Sequence, residues 1–248
     1  MQKFILMKIV EQIAKKLKKI PRGQVFTYTD FDIDVEKKNT IVKTLNIFAD
    51  KGMIVRLSKG KYYKPKKSEF GNLQPSSYEI VKDFIEKNGR LIGYITGYSI
   101  YNHLLLTTQI SNEIQIGTNQ YRRAIKRGIY KISFILQPNP ITRNNYRLLQ
   151  ILDSVRFVRD IPAMTTDEAI QRLIQIFSEL TTEEQEKITK LALKYTDYVR
   201  ALTAAILDNN NAEKSLFEML DKSLNGVSLY KLGISETVLP TKTKWRII

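Results

Sequence analysis

The side chains that could do chemistry in this chain are few. Among 248 residues there is one histidine, His103, and no cysteine. Disulfides, thiolate nucleophiles and cysteine-based zinc sites are therefore excluded. His103 lies in "SIYNHLLL", and a lone histidine among apolar residues is read as a packing residue rather than a base. The chain has no GxxxxGK[ST], no GxGxxG and no HExxH, the patterns that cradle phosphates or hold zinc. A nuclease needs convergent carboxylates and a lysine around a metal; Glu113 and Gln115 on a strand-like run give only a defective echo of that. Asp30, Asp32, Asp34 and Glu36 crowd together but lack the central Gly and distal Glu of a calcium loop. They are read as capping or solvent-facing residues. The expectation is a protein that is not an enzyme, with no catalytic residue, no metal and no cofactor.

The chemistry that the sequence does favour is charge. The formal net charge is +15. Residues 1–67 hold 17 Lys/Arg against 6 Asp/Glu, whereas the remainder hold 23 against 19. A segment this basic calls for a polyanionic partner, nucleic acid first and an anionic membrane surface second. Within it, "RLSKGKYYKP" sets two short strand-like runs around a Lys-Gly turn, with Arg56, Lys59, Lys61 and Lys64 along them. A second cluster, Arg122, Arg123, Lys126 and Arg127 in "YRRAIKRG", is read as a loop. It is either a solvated face or a further contact with nucleic acid or an acidic partner. The tyrosines between Tyr94 and Tyr101 are spaced among Ile and Leu, which favours core over a base-stacking platform.

The elements that must position these cations follow from pattern. Ile5, Ile9, Ile13, Leu17 and Ile20 mark one face of a first helix, with Lys8, Lys15 and Lys19 on another; Pro21 and Gly23 end it. Val25–Tyr28 reads as a short strand, Phe31–Asp34 as a short helix capped by Thr29 or Asp30. Val35–Lys51 reads as a helix with Ile41, Leu45 and Phe48 inward and Gly52 as terminator. "MIVRL" and "KYYK" form a hairpin. This is the element order of a winged helix-turn-helix, in which the last helix enters the major groove and the hairpin lies against the phosphates. Lys37, Lys38, Asn39, Thr40, Lys43 and Thr44 are the polar residues available on that helix. The acids ahead of it argue against phosphate, unless Asp34 caps it.

"KKSEFGNLQPSS" reads as a polar linker, placing a DNA-binding domain at 1–67 and a second domain at 68–248. Ser76 with Glu79 predicts a capped helix to about Asn88. Leu91–Leu106 reads as a buried helix. "NEIQIG" and "YKISFILQ" read as strands, the latter buried. Beyond Pro140 the chain reads as helical: a helix opened by Thr142, capping boxes at Thr165/Glu168 and Thr181/Glu184, and a last stripe of Leu216, Leu220 and Leu224. The fold class is α+β: an N-terminal winged helix-turn-helix, a mixed α/β region to about 140, then a helical C-terminal region. At 43% apolar residues a real core is available. No apolar run approaches a membrane span, and the first helix is not patterned as a signal peptide, so a cytoplasmic protein without a membrane partner is expected.

"PRGQVFTYTDF", "LSKGKYYKP", "IGYITGYSIYNHLLLTTQISNEIQIG", "LLQILDSVRFVRDIP" and "YKLGISETVLPT" together resemble the AbiEi-type antitoxins of type IV toxin–antitoxin systems. The resemblance implies an N-terminal winged helix that binds and represses the protein's own promoter. It also implies a C-terminal region that opposes a nucleotidyltransferase-like toxin encoded next door. It assigns DNA contacts to Lys37, Lys38 and Lys43 on the third helix and to Lys59, Lys61 and Lys64 on the wing. It gives "TGYSIYNHLLL" a structural role. A regulator without a toxin, or a nuclease-fold enzyme, are the other readings.

Overall fold

The structure is a computed structural model that describes residues 2–69 and 71–248; the side chains of residues 2–8 and of Val35 lie outside the description, and with them the expected roles of Ile5 and Lys8. The chain forms two compact units, Met1–Lys82 with Lys126–Tyr130, and Asp83–Ile125 with Lys131–Ile248. It is an α+β protein. No helix among the described residues is long and apolar enough to cross a membrane.

The first unit opens with α1 (Gln2–Lys19) and β1 (Val25–Phe26). A 3-10 turn over Tyr28–Phe31 follows, closed by a capping box between Thr27 and Asp30. A second 3-10 turn, Val35–Lys37, runs into α2 (Lys38–Asp50). Then come β2 (Val55–Ser58) and β3 (Lys61–Tyr63), and β1, β3 and β2 pair antiparallel in that order. Ile9, Ile13 and Leu17 of α1 meet Ile41, Leu45 and Phe48 of α2 over Phe26, Phe31 and Tyr62. This is a winged helix whose middle helix has shrunk to one 3-10 turn. The sequence reading put that turn three residues later and its cap at Thr29 or Asp30. Thr27 takes the cap because its hydroxyl and the Asp30 carboxylate satisfy each other's backbone N–H.

The expected linker is structured. β4 (Lys66–Ser68) and β5 (Gly71–Leu73) form a second hairpin, every described residue of which is exposed. Then α3 (Ser77–Ile85) begins. Ser76 Oγ accepts the Glu79 N–H, but the Glu79 carboxylate does not return to close the box; it accepts the Val25 N–H at 2.7 Å. Lys82 donates to the Val25 carbonyl at 2.6 Å. These long-range bonds to β1 extend the first unit beyond the expected boundary at 67.

In the second unit β6 (Glu86–Lys87) and β7 (Arg90–Leu91) flank an Asn88-Gly89 turn in which both residues have positive φ, so the predicted helix to Asn88 stops early. β8 (Gly93–Thr96) and α4 (Tyr98–His103) replace the single buried helix expected over Leu91–Leu106. Gly97 separates them at φ +65°, and a Cβ there would lie 1.9 Å from Gln115 Oε1. The break is thus required by both conformation and space. β9 (Glu113–Thr118), β10 (Ile125–Arg127) and β11 (Tyr130–Leu136) complete a sheet in the order β10-β11-β9-β8, with β9 and β11 parallel. β11 was expected to be buried, yet only Ile132 in it is.

α5 (Tyr146–Arg156), α6 (Thr166–Ser178), α7 (Thr182–Ala192), α8 (Asp197–Asn209) and α9 (Lys214–Asp221) close the fold. The boxes at Thr165/Glu168 and Thr181/Glu184 form as expected. α5 starts later than Thr142, because Asn145 Oδ1 accepts the Thr142 N–H and shapes a turn first. α8 is buried from Val199 to Leu207, apart from Arg200, and forms the axis around which the other helices pack.

Candidate nucleic-acid interface

α2 presents Asn39 and Lys43 to solvent, one turn apart, with Asn46 half-exposed and Asp50 exposed further along. The face is open because Ile41, Leu45 and Phe48 turn the opposite side into the core. Thr44, expected among the contacts, is 4% exposed and its hydroxyl donates back to the Thr40 carbonyl. The N-cap position, Lys37, makes no side-chain cap. The 3-10 turn Val35–Lys37 leads straight into α2 in place of a side-chain cap. Asp34 does not cap this helix. Its carboxylate lies 3.5 Å from the Lys37 ammonium.

That ion pair belongs to a wider pattern. The acids that argued against a phosphate partner are largely occupied. Asp32 pairs with Lys16, Asp34 with Lys37, and Asp30 accepts the Thr27 N–H at 2.7 Å. Lys38 sits over the Tyr28 ring, 4.8 Å from its centre, which holds the ammonium beside the start of α2. Of the third-helix cations, Lys38 and Lys43 are exposed and Lys37 is half-buried.

On the wing, Arg56 and Lys59 are exposed and Lys61 is half-buried. Lys59-Gly60 is a two-residue turn with Gly60 at φ +74°, and a bulge between Arg56 and Ser58 twists the strand. The placement of Lys64 corrects the sequence reading. Its ammonium points at the carbonyls of Leu17, Lys18 and Ile20, 3.3 to 3.5 Å away. It neutralises the negative end of α1 instead of reaching out as a wing cation. Replacing Lys59 with Ala should weaken duplex DNA binding and flatten its salt dependence by about one phosphate's worth. Lys64→Ala should leave that slope unchanged and lower the melting temperature; equal slopes for the two variants would reject this assignment.

The second basic cluster is not one exposed loop. Arg127 is 5% exposed and its guanidinium donates to the Ile80 carbonyl at 2.6 Å; it is an internal strut. Lys126 is exposed. Arg122 lies over the Phe84 ring at 5.5 Å and near the Phe134 ring at 6.0 Å, and Arg123 is exposed. His103 is also exposed and not in the core, because α4 ends there and the chain turns at Leu105, whose φ is +59°. Glu113 is tied to Lys131 at 3.0 Å and Ser133 at 2.7 Å. Those bonds hold its carboxyl below the usual range although burial acts in the other direction. No group of three potential metal ligands occurs among the described residues.

The sequence reading missed a buried polar cluster in the second unit. Asp153 of α5 is completely buried. It accepts hydroxyl bonds from Tyr94 at 2.7 Å, Thr96 at 3.0 Å and Tyr195 at 3.0 Å. Gln137 Nε2 donates to both tyrosine oxygens, and Asn139 donates to Gln137 Oε1 and to the Leu191 carbonyl. Gly117 leaves the slot for the Tyr94 ring; a Cβ there would fall 2.4 Å from it. Burial raises the Asp153 carboxyl to about 6, against the three hydroxyl bonds that pull it down. Burial, then the Asp153 charge, holds the Tyr94 and Tyr195 hydroxyls well above their ordinary value, so both act as donors. The available signal was an acid inside "LLQILDSV", with Leu149, Leu152 and Phe157 among its helix neighbours.

Fold and site together define an α+β protein with an N-terminal winged helix that carries a cationic, solvent-open helix and hairpin. Residues 12–194 match a family described as a family of unknown function, DUF6088, and the chain belongs to that family. The match ends just past α7. No curated protein matches the chain. Among solved structures it is similar to the Rv2827c protein of Mycobacterium tuberculosis, at 12% identity and a TM-score of 0.48, covering 90% of this chain and 82% of that one.

Proposed function

We propose that this protein is a DNA-binding antitoxin. Its winged helix binds and represses its own promoter, and its second unit opposes a nucleotidyltransferase-like toxin encoded beside it. The observation that carries the DNA half is the coincidence of α2's open face with the cationic wing. Asn39, Lys43, Arg56 and Lys59 all reach solvent, while Asp30, Asp32 and Asp34 are engaged by the Thr27 N–H, Lys16 and Lys37. Lysine and arginine on the wing neutralise phosphates, and Asn39 is of the type that pairs with adenine in the major groove. The antitoxin half rests on the motif resemblance, which runs through β8, α4, β9, α5 and the C-terminal segment.

Co-expression tests both halves. The neighbouring gene alone should arrest growth, and adding this chain should restore it. A reporter driven by the upstream DNA should be repressed by the wild-type chain and released by Lys43→Ala with Lys59→Ala. Reversing Arg122 and Arg123 to Glu should weaken rescue while leaving repression intact. Separation by point variants is preferable to truncation at 67, since that cut removes β1, to which Glu79 and Lys82 are bonded. If the neighbouring gene is harmless but repression holds, the protein is a regulator without a toxin.

A further inference from the structure

The β4–β5 hairpin lies outside everything assigned so far. Its described residues are all exposed, so they add no core packing. It is nonetheless firmly rooted. At its entry the Lys64 carbonyl accepts the Gly23 N–H at 2.8 Å, and the Pro65 carbonyl accepts Arg22 Nη1 at 2.9 Å. At its exit Tyr63 donates its hydroxyl to Gln74 Oε1 at 3.3 Å.

Its two faces differ. Lys66 pairs across from Leu73, and Lys67 from Asn72; opposed residues share a face and successive residues alternate. Lys66 and Leu73 face a groove lined by Pro21, Arg22, Gly23 and Glu79. Asn72 faces another groove, of about 510 Å³, lined by Asn46 and Asp50 of α2 and by Val55 and Arg56 of β2. Lys67 shares the face of Asn72. The Lys67–Asn72 face therefore adjoins the exposed side of α2 at its C-terminal half, continuous with Asn39 and Lys43. The first hairpin carries Arg56, Lys59 and Lys61 and no acid, and the second carries Lys66 and Lys67 against Glu69 in its turn, so both hairpins are net positive.

We infer that β4–β5 is a second wing, which carries Lys67 onto the phosphate backbone of duplex DNA and lengthens the footprint beyond the first wing. This rests on the DNA-binding reading above. The shared chemistry is a row of phosphates at fixed spacing, which a rooted, cationic hairpin matches better than it matches a single small anion. Lys66, on the other face, serves as an internal control of equal charge.

The test uses the full chain and two fluorescent 30-base-pair duplexes, one from the DNA upstream of the gene and one scrambled. Lys67→Glu should weaken binding to both by about 5- to 20-fold and flatten the salt slope by about one unit. In hydroxyl-radical footprinting on the upstream DNA it should lose protection at one end of the footprint. Lys66→Glu changes the net charge equally but should keep the full footprint. Because both sites are exposed, unchanged melting temperatures are expected for both variants. If the wild type binds duplex DNA and Lys67→Glu gives an unchanged footprint and slope, the second wing is overturned while the DNA-binding reading stands. If the wild type binds neither duplex in low salt, both fall. A Lys67 effect seen with single-stranded RNA and not with the duplexes overturns the choice of partner.

Discussion

Replacing Asp153 with alanine should destabilise the protein by about 3–5 kcal/mol, the range for stripping the partner from a buried charged network. The hydroxyls of Tyr94, Thr96 and Tyr195 converge on this one carboxylate, and its loss leaves them as donors without an acceptor at a site closed to water. The wild-type stability should also depend on pH through this group. Its folded pKa, about 6, lies above the ordinary value of 3.8, so between these values the folded state holds more protons than the unfolded one. The sign follows from linkage: stability that is fully present below pH 3.8 is lost as pH rises through 6. Against Asp153→Asn, which does not titrate, the wild type should therefore gain up to about 3 kcal/mol as the pH is lowered from 7 to 4. Urea unfolding of both proteins across that range measures the difference. A difference independent of pH would mean that Asp153 titrates normally and that water reaches it.

The second large effect is on DNA affinity. The triple variant Lys43→Ala, Arg56→Ala, Lys59→Ala should lose two orders of magnitude or more in affinity for duplex DNA, and its salt slope should flatten by about three units. The three side chains are exposed and none lies in the core, so the fold should survive, as circular dichroism can verify. Asn39→Ala should act differently, relaxing sequence preference by about 1–3 kcal/mol with little change in salt slope. Fluorescence anisotropy over a salt series reads both quantities. If the triple variant binds with wild-type affinity and slope, the interface is elsewhere on the molecule.

The sequence by itself determined a good deal. Charge crowding in the first quarter of the chain, the apolar stripes of α1 and α2, the Lys-Gly turn and the two Thr/Glu capping boxes are local signals. Each is written in residues within a few positions of one another, and each appears in the structure. The α+β class followed from them. The winged helix was legible because its core face repeats at Ile41, Leu45 and Phe48, and because Gly60 marks the turn. Lys38, Lys43, Arg56 and Lys59 are exposed, as the sequence reading required of them, because exposure is the default state of a lysine or arginine.

What only the tertiary structure decided are the exceptions to that default. Lys64 and Arg127 looked like their neighbours, yet one neutralises the end of α1 and the other binds the Ile80 carbonyl. Carbonyls 44 to 47 residues away in sequence set those roles, and no local pattern encodes them. The segment from Gly93 to Leu106 read as a helix because its composition is apolar. It became strand, turn and short helix because Gly93 and Gly97 approach the backbone carbonyl of Phe84 and the side chain of Gln115, both placed by distant parts of the chain. The Lys66–Leu73 stretch read as a linker because it is polar; its strands exist through pairing with each other and through roots at Pro21–Gly23 and Gln74. Asp153 stands at the far end of this scale. An aspartate in a helix is ordinarily a surface residue, and it is buried here because two tyrosines and a threonine, 42 to 59 positions away, supply the hydrogen bonds that water would otherwise provide. Burial of a polar group depends on partners that only the folded chain assembles.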